Sequence, residues 1–575
     1  MGKRTVGRFR MIVRHRGWAV AVLIAALGLG CHAAENDPEG QAGELSDPVR
    51  RENAIFNLKK VYTETLAANG GDRSSADVQA VADVIVDPLT RAYLDYPEDR
   101  INGLAILDLL YEVQDPRSMP ALIEALNWRT EVSEDHAIRA AQTIQVMEVP
   151  AAERPQVIQA LARSLERITD SRPEDNKMRV AMIRALGALK DTGATEILTS
   201  VATKQDEKQN FLINRLAAQQ LGELRDPAAI PALIKCLFLF APNHPELRMN
   251  DVAAEALILV GRPSLKPLLA VLAGKDATAN AIAKQYIDAV KARRPDLANQ
   301  MTVRQVTGGE ASFALGALGF SEALEPLLQE AASSDTPRKL NAAIALVRID
   351  VPDAKKDRVR STLKKVYGEL PKGYEGVAMR GQLLAAIAHM YDAEMMPFIY
   401  TQVVDRKANP EVRLIAVQNY ALLANKAEAA NLAAAIAKER PSEAGGYREK
   451  FEERNPLLEL ANECDTSVDC WVSKAGSPDA NKARKGAYML GRYARGEDKD
   501  KAIDALVGQL GSEDLGVRLS ALMAIDQIAV EGSTGAVAKV DELRTREEGQ
   551  SVWTRFRGEA LPIQARLRSR AGDAG

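Results

Sequence analysis

At 575 residues the chain is too long for one compact core, so it is either several domains or an array in which each unit touches only its neighbours. Hydrophobic content of 46% with only 5% aromatic matches cores of Ala, Leu, Ile and Val, as in closely stacked helices, and no sustained run of alternating β-branched residues argues for strands. Lys and Arg number 75 against 78 Asp and Glu, a net charge of −3 without a basic stripe, which argues against generic nucleic-acid binding through phosphates.

The first 30 residues carry Lys3, Arg4, Arg8, Arg10, Arg14 and Arg16, no acid, and then the short apolar run Gly17 to Gly30. About 20 apolar residues are needed to span a bilayer, so this run reads as the core of a signal peptide and not as a permanent anchor. Its end, LGLGC, resembles the bacterial lipobox, in which a small residue precedes a cysteine that becomes lipid-modified and N-terminal. Gly30 and Cys31 match, whereas Gly28 stands where the motif prefers Leu. The resemblance implies lipidation of Cys31 and a membrane anchor, and His32 in place of Asp after the cysteine points to the outer membrane.

Residues 31–48, polar with Gly and Pro and without periodicity, read as a flexible tether. Helical pattern begins near Val49. Asn53–Ala68 and Asp77–Tyr93, separated by Asn69-Gly70-Gly71-Asp72, predict two helices of an N-terminal cap over 49–114. From Asp115 the pattern repeats. Asp115-Pro116 opens a helix with the PALIEAL segment, Leu122, Ile123 and Leu126 forming its apolar stripe, and a second helix follows from Glu134 with Ile138, Ala141 and Ile144 at helical spacing. Asp226-Pro227 with PALIKCL recurs 111 residues later, three units of 37.

Second helices carry the signatures AMIRALGALKD (Ala181–Asp191), AAQQLGELRDP (Ala217–Pro227), FALGALG (Phe313–Gly319) and GAYMLGRYA (Gly486–Ala494). Glycine after leucine serves either close approach of neighbouring helices or a left-handed helix end. The series resembles HEAT repeats of the bacterial HEAT-like kind over residues 100–532. The resemblance implies an all-α, right-handed α-solenoid of stacked antiparallel helix pairs.

An Asp or Asn stands four residues before a basic residue at Asp135/Arg139, Asp175/Arg179, Asn409/Arg413, Asn481/Lys485 and Asp514/Arg518, with His244/Arg248 a degenerate instance. An isolated pair of this spacing contributes only about 0.2–0.5 kcal/mol. The HEAT-like resemblance implies more: the first residue caps the second helix, and the basic residue reaches a neighbouring unit's acid or carbonyls in a ladder along the inner layer.

The repeat is interrupted near 442–478, where REKFEER and NECDTSVDCW stand, and residues 533–575 read as C-terminal capping helices and a tail. With Cys31 assigned to lipid and Cys236 inside the apolar pattern IKCL, the remaining Cys464 and Cys470 predict a disulfide across the turn-forming segment between them. A metal site is the rival, but two thiols without a nearby His or further Cys fall short of four ligands.

Chemistry is sparse. His32, His136, His244 and His389 stand at no metal-ligand spacing, and the chain lacks His-Glu pairs, G-x-S-x-G, H-E-x-x-H and a complete Walker A, since Tyr374 follows the Gly368-to-Gly373 spacing where Lys belongs. No catalysis, cofactor, metal, nucleic acid or small-molecule substrate is expected. The expected function is an exported, lipid-anchored scaffold that binds a protein partner through the second helices, which offer Gln142, Gln145, Gln219, Glu255, Gln418 and Asn419. The alternative is an envelope spacer that makes contact through its ends, and a remote one is an enzyme like the HEAT-like bilin lyases.

Overall fold

The structure, a computed structural model, describes residues 33–127, 134–205, 209–298, 301–529, 534–547 and 553–571. The basic leader and Cys31 lie outside the described residues. The helices fall into two compact units that meet between Leu165 and Glu166, not at the expected end of the cap near residue 114.

The first unit holds α1 (Pro38–Glu44), α2 (Arg51–Ala68), α3 (Ala76–Asp95), α4 (Arg100–Val113), α5 (Met119–Leu126), α6 (Glu134–Val146) and α7 (Arg154–Glu166). The expected tether is corrected here: from Pro38 it is folded. Asp37 caps α1 by accepting from Gly40 N–H with Pro38 in the first turn, and Gln41 and Leu45 are each 2% exposed. Gln41 donates to the carbonyls of Ala33 and Ala34, tying the strand before the helix to it. Seven residues are too few for a 3.6-residue period to show, which is why composition alone reads as linker.

The second unit begins with α8 (Pro173–Ala188), α9 (Thr195–Thr203), α10 (Phe211–Leu224), α11 (Ile230–Cys236), α12 (Asn250–Val260), α13 (Leu265–Leu272), α14 (Ala277–Arg293) and α15 (Pro295–Ala298). It continues through α16 (Val303–Leu318), α17 (Leu324–Ala331), α18 (Thr336–Arg348), α19 (Lys356–Glu369), α20 (Val377–Ala388), α21 (Met396–Val404) and α22 (Pro410–Leu423). Next come α23 (Lys426–Ala437), α24 (Arg448–Glu452), α25 (Asn455–Cys464), α26 (Val468–Ala475) and α27 (Ala480–Tyr493). The unit closes with α28 (Lys499–Gln509), α29 (Leu515–Ile528), α30 (Thr534–Glu547) and α31 (Trp553–Arg570). Between α11 and α12 stands a short antiparallel hairpin, β1 (Phe240–Ala241) with β2 (His244–Arg248).

The architecture is an all-α solenoid of stacked helix pairs, and its joints have a common chemistry. A second helix ends on a residue in the left-handed region, Gln114, Lys190, Arg225 or Tyr391. An aspartate follows, Asp115, Asp191, Asp226 or Asp392, and its carboxylate accepts the N–H two residues on, starting a short 3₁₀ turn that runs into the next first helix. Neither helix of a pair could bury its stripe alone, so stacking second helix on second helix, α8 on α10, α10 on α12 and α16 on α18, makes the core continuous.

Two close approaches between second helices fall at the leucine-glycine signatures. A Cβ on Gly222 would lie 2.7 Å from the Cα of Ala256, and one on Gly316 would lie 2.8 Å from the Cα of Ala345, so backbone meets backbone there. Gly319, with φ +80°, is the left-handed end of α16. Both explanations for the glycines thus operate within the single segment FALGALG.

Candidate protein-binding surface

The ladder residues sit where second helices begin, and their bonds run both within a pair and across pairs. Arg179 donates to Ile168 O at 2.9 Å, Arg413 to Val403 O at 3.0 Å, and Arg518 to Ser512 O at 2.6 Å and Glu513 O at 3.0 Å. Arg413 clamps a carbonyl in the last turn of α21 to α22, where unsatisfied C=O groups and the negative end of the helix dipole favour a cation, while Arg179 and Arg518 tie the loop that leads into their own helix. Across pairs, Arg139 reaches Asp108 of α4 at 2.6 Å, and Arg413 reaches Glu439 at 2.5 Å. The expected rungs to a neighbouring pair are thus joined by clamps within a pair.

Among the residues four before the basic ones, Asn409 and Asp514 accept from Glu411 N–H and Val517 N–H as caps. Asp175 instead occupies the third position of α8. It accepts the Arg172 N–H and guanidinium, and that hydrogen bonding holds its carboxyl below the usual range against the opposing effect of burial. Asp135 lies exposed inside the first turn of α6 and is not its cap.

Lys485 makes a related contact at longer range. Fully buried, it donates to Ala421 O and Ala424 O at the end of α22, at 2.6 and 2.8 Å, and its Nζ stands 5.5 Å from the Trp471 ring centre. Burial pushes its ammonium down to about 7, Glu428 opposing and Arg492 adding to the shift. Below that pH the folded and unfolded chains both hold the proton; between about 7 and 10.5 only the unfolded chain does, so stability should rise with pH across this window. Urea unfolding midpoints at pH 7 and about 9.5 should show this rise, and Lys485→Met should remove it; parallel profiles for the two proteins would contradict the assignment.

The Sγ atoms of Cys464 and Cys470 lie 1.86 Å apart, with their Cα atoms at 5.3 Å, across the turn from α25 to α26. The carboxylate of Glu463 is nearby, but sulfurs joined to one another leave no thiolate for a metal ion. Trp471, also fully buried, donates its indole N–H to Asp465 O at 2.8 Å, so the turn is held by side chain and backbone together. Cys236 is buried, its thiol pushed up to about 12 by desolvation.

The histidines in the described residues pack or sit on the surface. His136 meets Tyr93 Oη at 2.9 Å and Arg100 O at 3.0 Å, His389 meets Tyr488 Oη at 3.0 Å with burial lowering its pKa to about 4, and His244 is exposed beside Glu246.

Of the polar residues expected on the second helices, Gln145 is exposed and Gln142 half-buried on α6 of the first unit. In the second unit Gln219, Glu255 and Gln418 are half-buried. Asn419 is corrected: it is 7% exposed, because α22 is packed by α20 and also by α27, which comes directly against it past the intervening α23–α26.

Helices α30 and α31 stand in the expected C-terminal capping region and pair with each other, but α31 reaches beyond the last pair. This helix lies against α12, α16 and α29, second helices widely separated in sequence. Arg566, 7% exposed, donates to both oxygens of Asp526 on α29, at 3.1 and 2.6 Å, and to Ala317 O on α16. Arg570 reaches Asp526 Oδ1 at 3.1 Å and Asp350 at 3.0 Å, and Glu559 accepts from Arg348 of α18 at 2.9 Å. Burial alone would raise the Asp526 carboxyl, but the two guanidiniums outweigh it and hold it below the usual range. Leu561, Ile563 and Leu567 are buried beside these pairs. The spacing of Arg566 and Arg570 on one face was the available signal; in sequence it resembles a solvated basic tail.

Residues 169–238, from just before α8 into the turn after α11, match the family model of HEAT repeats. Among solved structures the chain is similar to the karyopherin Kap121p bound to the extreme C-terminus of the protein phosphatase Cdc14p, at 13% identity and a TM-score of 0.45, covering 92% of this chain and 69% of that one. Kap121p bound to the SUMO protease Ulp1p gives 13% identity and 0.46 over 92% and 68%, and a Kap95p structure with RanGDP gives 12% and 0.33 over 97% and 85%. No curated protein matches the chain. Among the described residues no helix is long and apolar enough to cross a membrane.

Proposed function

We propose that the protein is a non-catalytic scaffold that binds a protein partner through its layer of second helices, exported and held at a membrane by a lipid on Cys31. The observation that carries the binding role is the stack itself, in which successive second helices set Gln219, Glu255 and Gln418 at the surface of one continuous layer. Export is supported by the basic leader, the short apolar run and the LGLGC ending, and by a Cys464–Cys470 bridge of the kind that persists in oxidising compartments. Affinity capture of the full chain from its host membranes should co-purify one partner in stoichiometric amount; recovery of the chain alone counts against the scaffold.

Cys31→Ser should move the protein from the membrane fraction to the soluble fraction and abolish acyl incorporation. Unchanged fractionation and labelling would remove the lipid anchor.

A spacer that makes contact through its end is favoured by one observation: Val49, Phe56 and Ile101 of the first unit are 87%, 67% and 83% exposed. Replacing all three by Ser abolishes partner capture under the spacer reading and leaves it intact under the scaffold reading.

A further inference from the structure

We propose that the seat of α31 is a receptor for a basic amphipathic helix, that α31 is its resident ligand, and that the partner of the scaffold binds by displacing it. The proposal rests on the scaffold reading and names the partner's chemistry. Helix α31 pairs with α30 and stacks on α29, and a solenoid in which each pair is held only by its neighbours would ask no more of it. It nevertheless lies against α12, α16 and α29 at once, as a ligand lies across a groove.

Its attachments are those of recognition. The segment 553–570 contains Arg555, Arg557, Arg566, Arg568 and Arg570 against the single acid Glu559, while the seat offers Asp526 and Asp350 to the basic side chains and Arg348 to the acid. Buried ion pairs add little net stability relative to apolar packing but strongly disfavour a wrong register. The seat is also fitted to the guanidinium stem: a Cβ on Gly319 would stand 2.4 Å from Arg566 Cδ, so a side chain there would close the site. In contrast, the carboxamide of Gln564, 1% exposed, has neither its oxygen nor its nitrogen hydrogen-bonded among the described residues, so the resident helix fills the seat imperfectly. A competing helix would carry arginines four residues apart, a leucine directly after the first, and an acid seven residues before it, as Glu559, Arg566, Leu567 and Arg570 do.

The test uses the full chain and a fluorescein-labelled synthetic peptide with the sequence of residues 553–571. In the Arg566→Ala/Arg570→Ala chain the resident helix lacks its anchors while the seat is intact, and Asp526 regains water when the helix lifts. Because apparent affinity scales with the fraction of open seat, the labelled peptide should bind this variant on the order of 10-fold or more tightly than the unaltered chain by fluorescence anisotropy. Adding Asp526→Asn should abolish that gain.

Equal binding to unaltered and variant chains, or a gain that survives Asp526→Asn, overturns the proposal. So does loss of the variant's cooperative unfolding by circular dichroism, which would make α31 an indispensable part of the core, and so does a dimer of the unaltered chain in light scattering that exchanges α31 between copies. These outcomes leave the scaffold reading standing if capture still yields a partner; absence of any partner, with the peptide result as expected, sinks the scaffold reading alone.

Discussion

Asp526→Ala should lower the unfolding free energy by about 3 kcal/mol, near the lower end expected when one member of a buried ion pair is removed and the other is left uncompensated. The stranded group is Arg566, 7% exposed and paired with Asp526 alone among the described carboxylates, and Arg570, which also meets Asp350, loses its bond to Asp526. Asp526 itself keeps 19% of its side-chain exposure, which is why the expected loss is placed at the low end of that range. Urea unfolding followed by circular dichroism measures the change. The double variant Asp526→Ala/Arg566→Met should recover part of it, because no buried cation then lacks a partner. The same pair sets an acid limit. Its carboxyl is depressed in the folded chain, so its contribution is present above the ordinary carboxylate range near 4 and fades as pH falls through the folded value. A neutral Asp526→Ala would mean that α31 is not clasped to α29.

Gly316→Val should be comparably damaging, by about 3 kcal/mol, for a reason of pure geometry. The new Cβ would meet the Cα of Ala345 at 2.8 Å and its Cβ at 2.9 Å, and a backbone atom cannot rotate aside as a side chain can. The helices α16 and α18 would have to separate, opening the layer on which α31 also rests. The branched side chain adds its own restriction within a helix. Gly508 is the internal control: it lies within α28, where an added Cβ meets nothing within 4 Å, so Gly508→Ala should be neutral or stabilising by up to about 1 kcal/mol. Equal losses at both positions would remove the close-approach explanation of the leucine-glycine signature.

What could be read from the sequence follows from which interactions are local. The Asp-Pro starts at Asp115 and Asp226 announced first helices because capping and proline geometry act within two residues. The glycines of FALGALG announced tight packing and a left-handed end without saying which glycine served which. Cys464 and Cys470 could be paired by elimination within one short segment. The clamps were half legible: the spacing located Arg179, Arg413 and Arg518, but not which acceptors the fold brings within reach, since Arg413 turns both to Val403 O in its own pair and to Glu439 beyond it. Helix α1 was hidden by its shortness. The burial of Asn419 and the seat of α31 were hidden for a deeper reason: both follow from contacts between helices remote in sequence, α22 with α27 and α31 with α12, α16 and α29, and a repeat pattern describes only neighbours.

The central claim is that the layer of second helices, and not an end, meets the partner. A photo-crosslinking amino acid placed at Gln219, Glu255 or Gln418 of the full chain in its host tests this directly, with the same residue at Val49, Phe56 and Ile101 as the comparison. The account predicts one adduct of constant added mass at the second-helix positions and none at the three exposed apolar positions of the first unit. Adducts confined to Val49, Phe56 and Ile101 would contradict it.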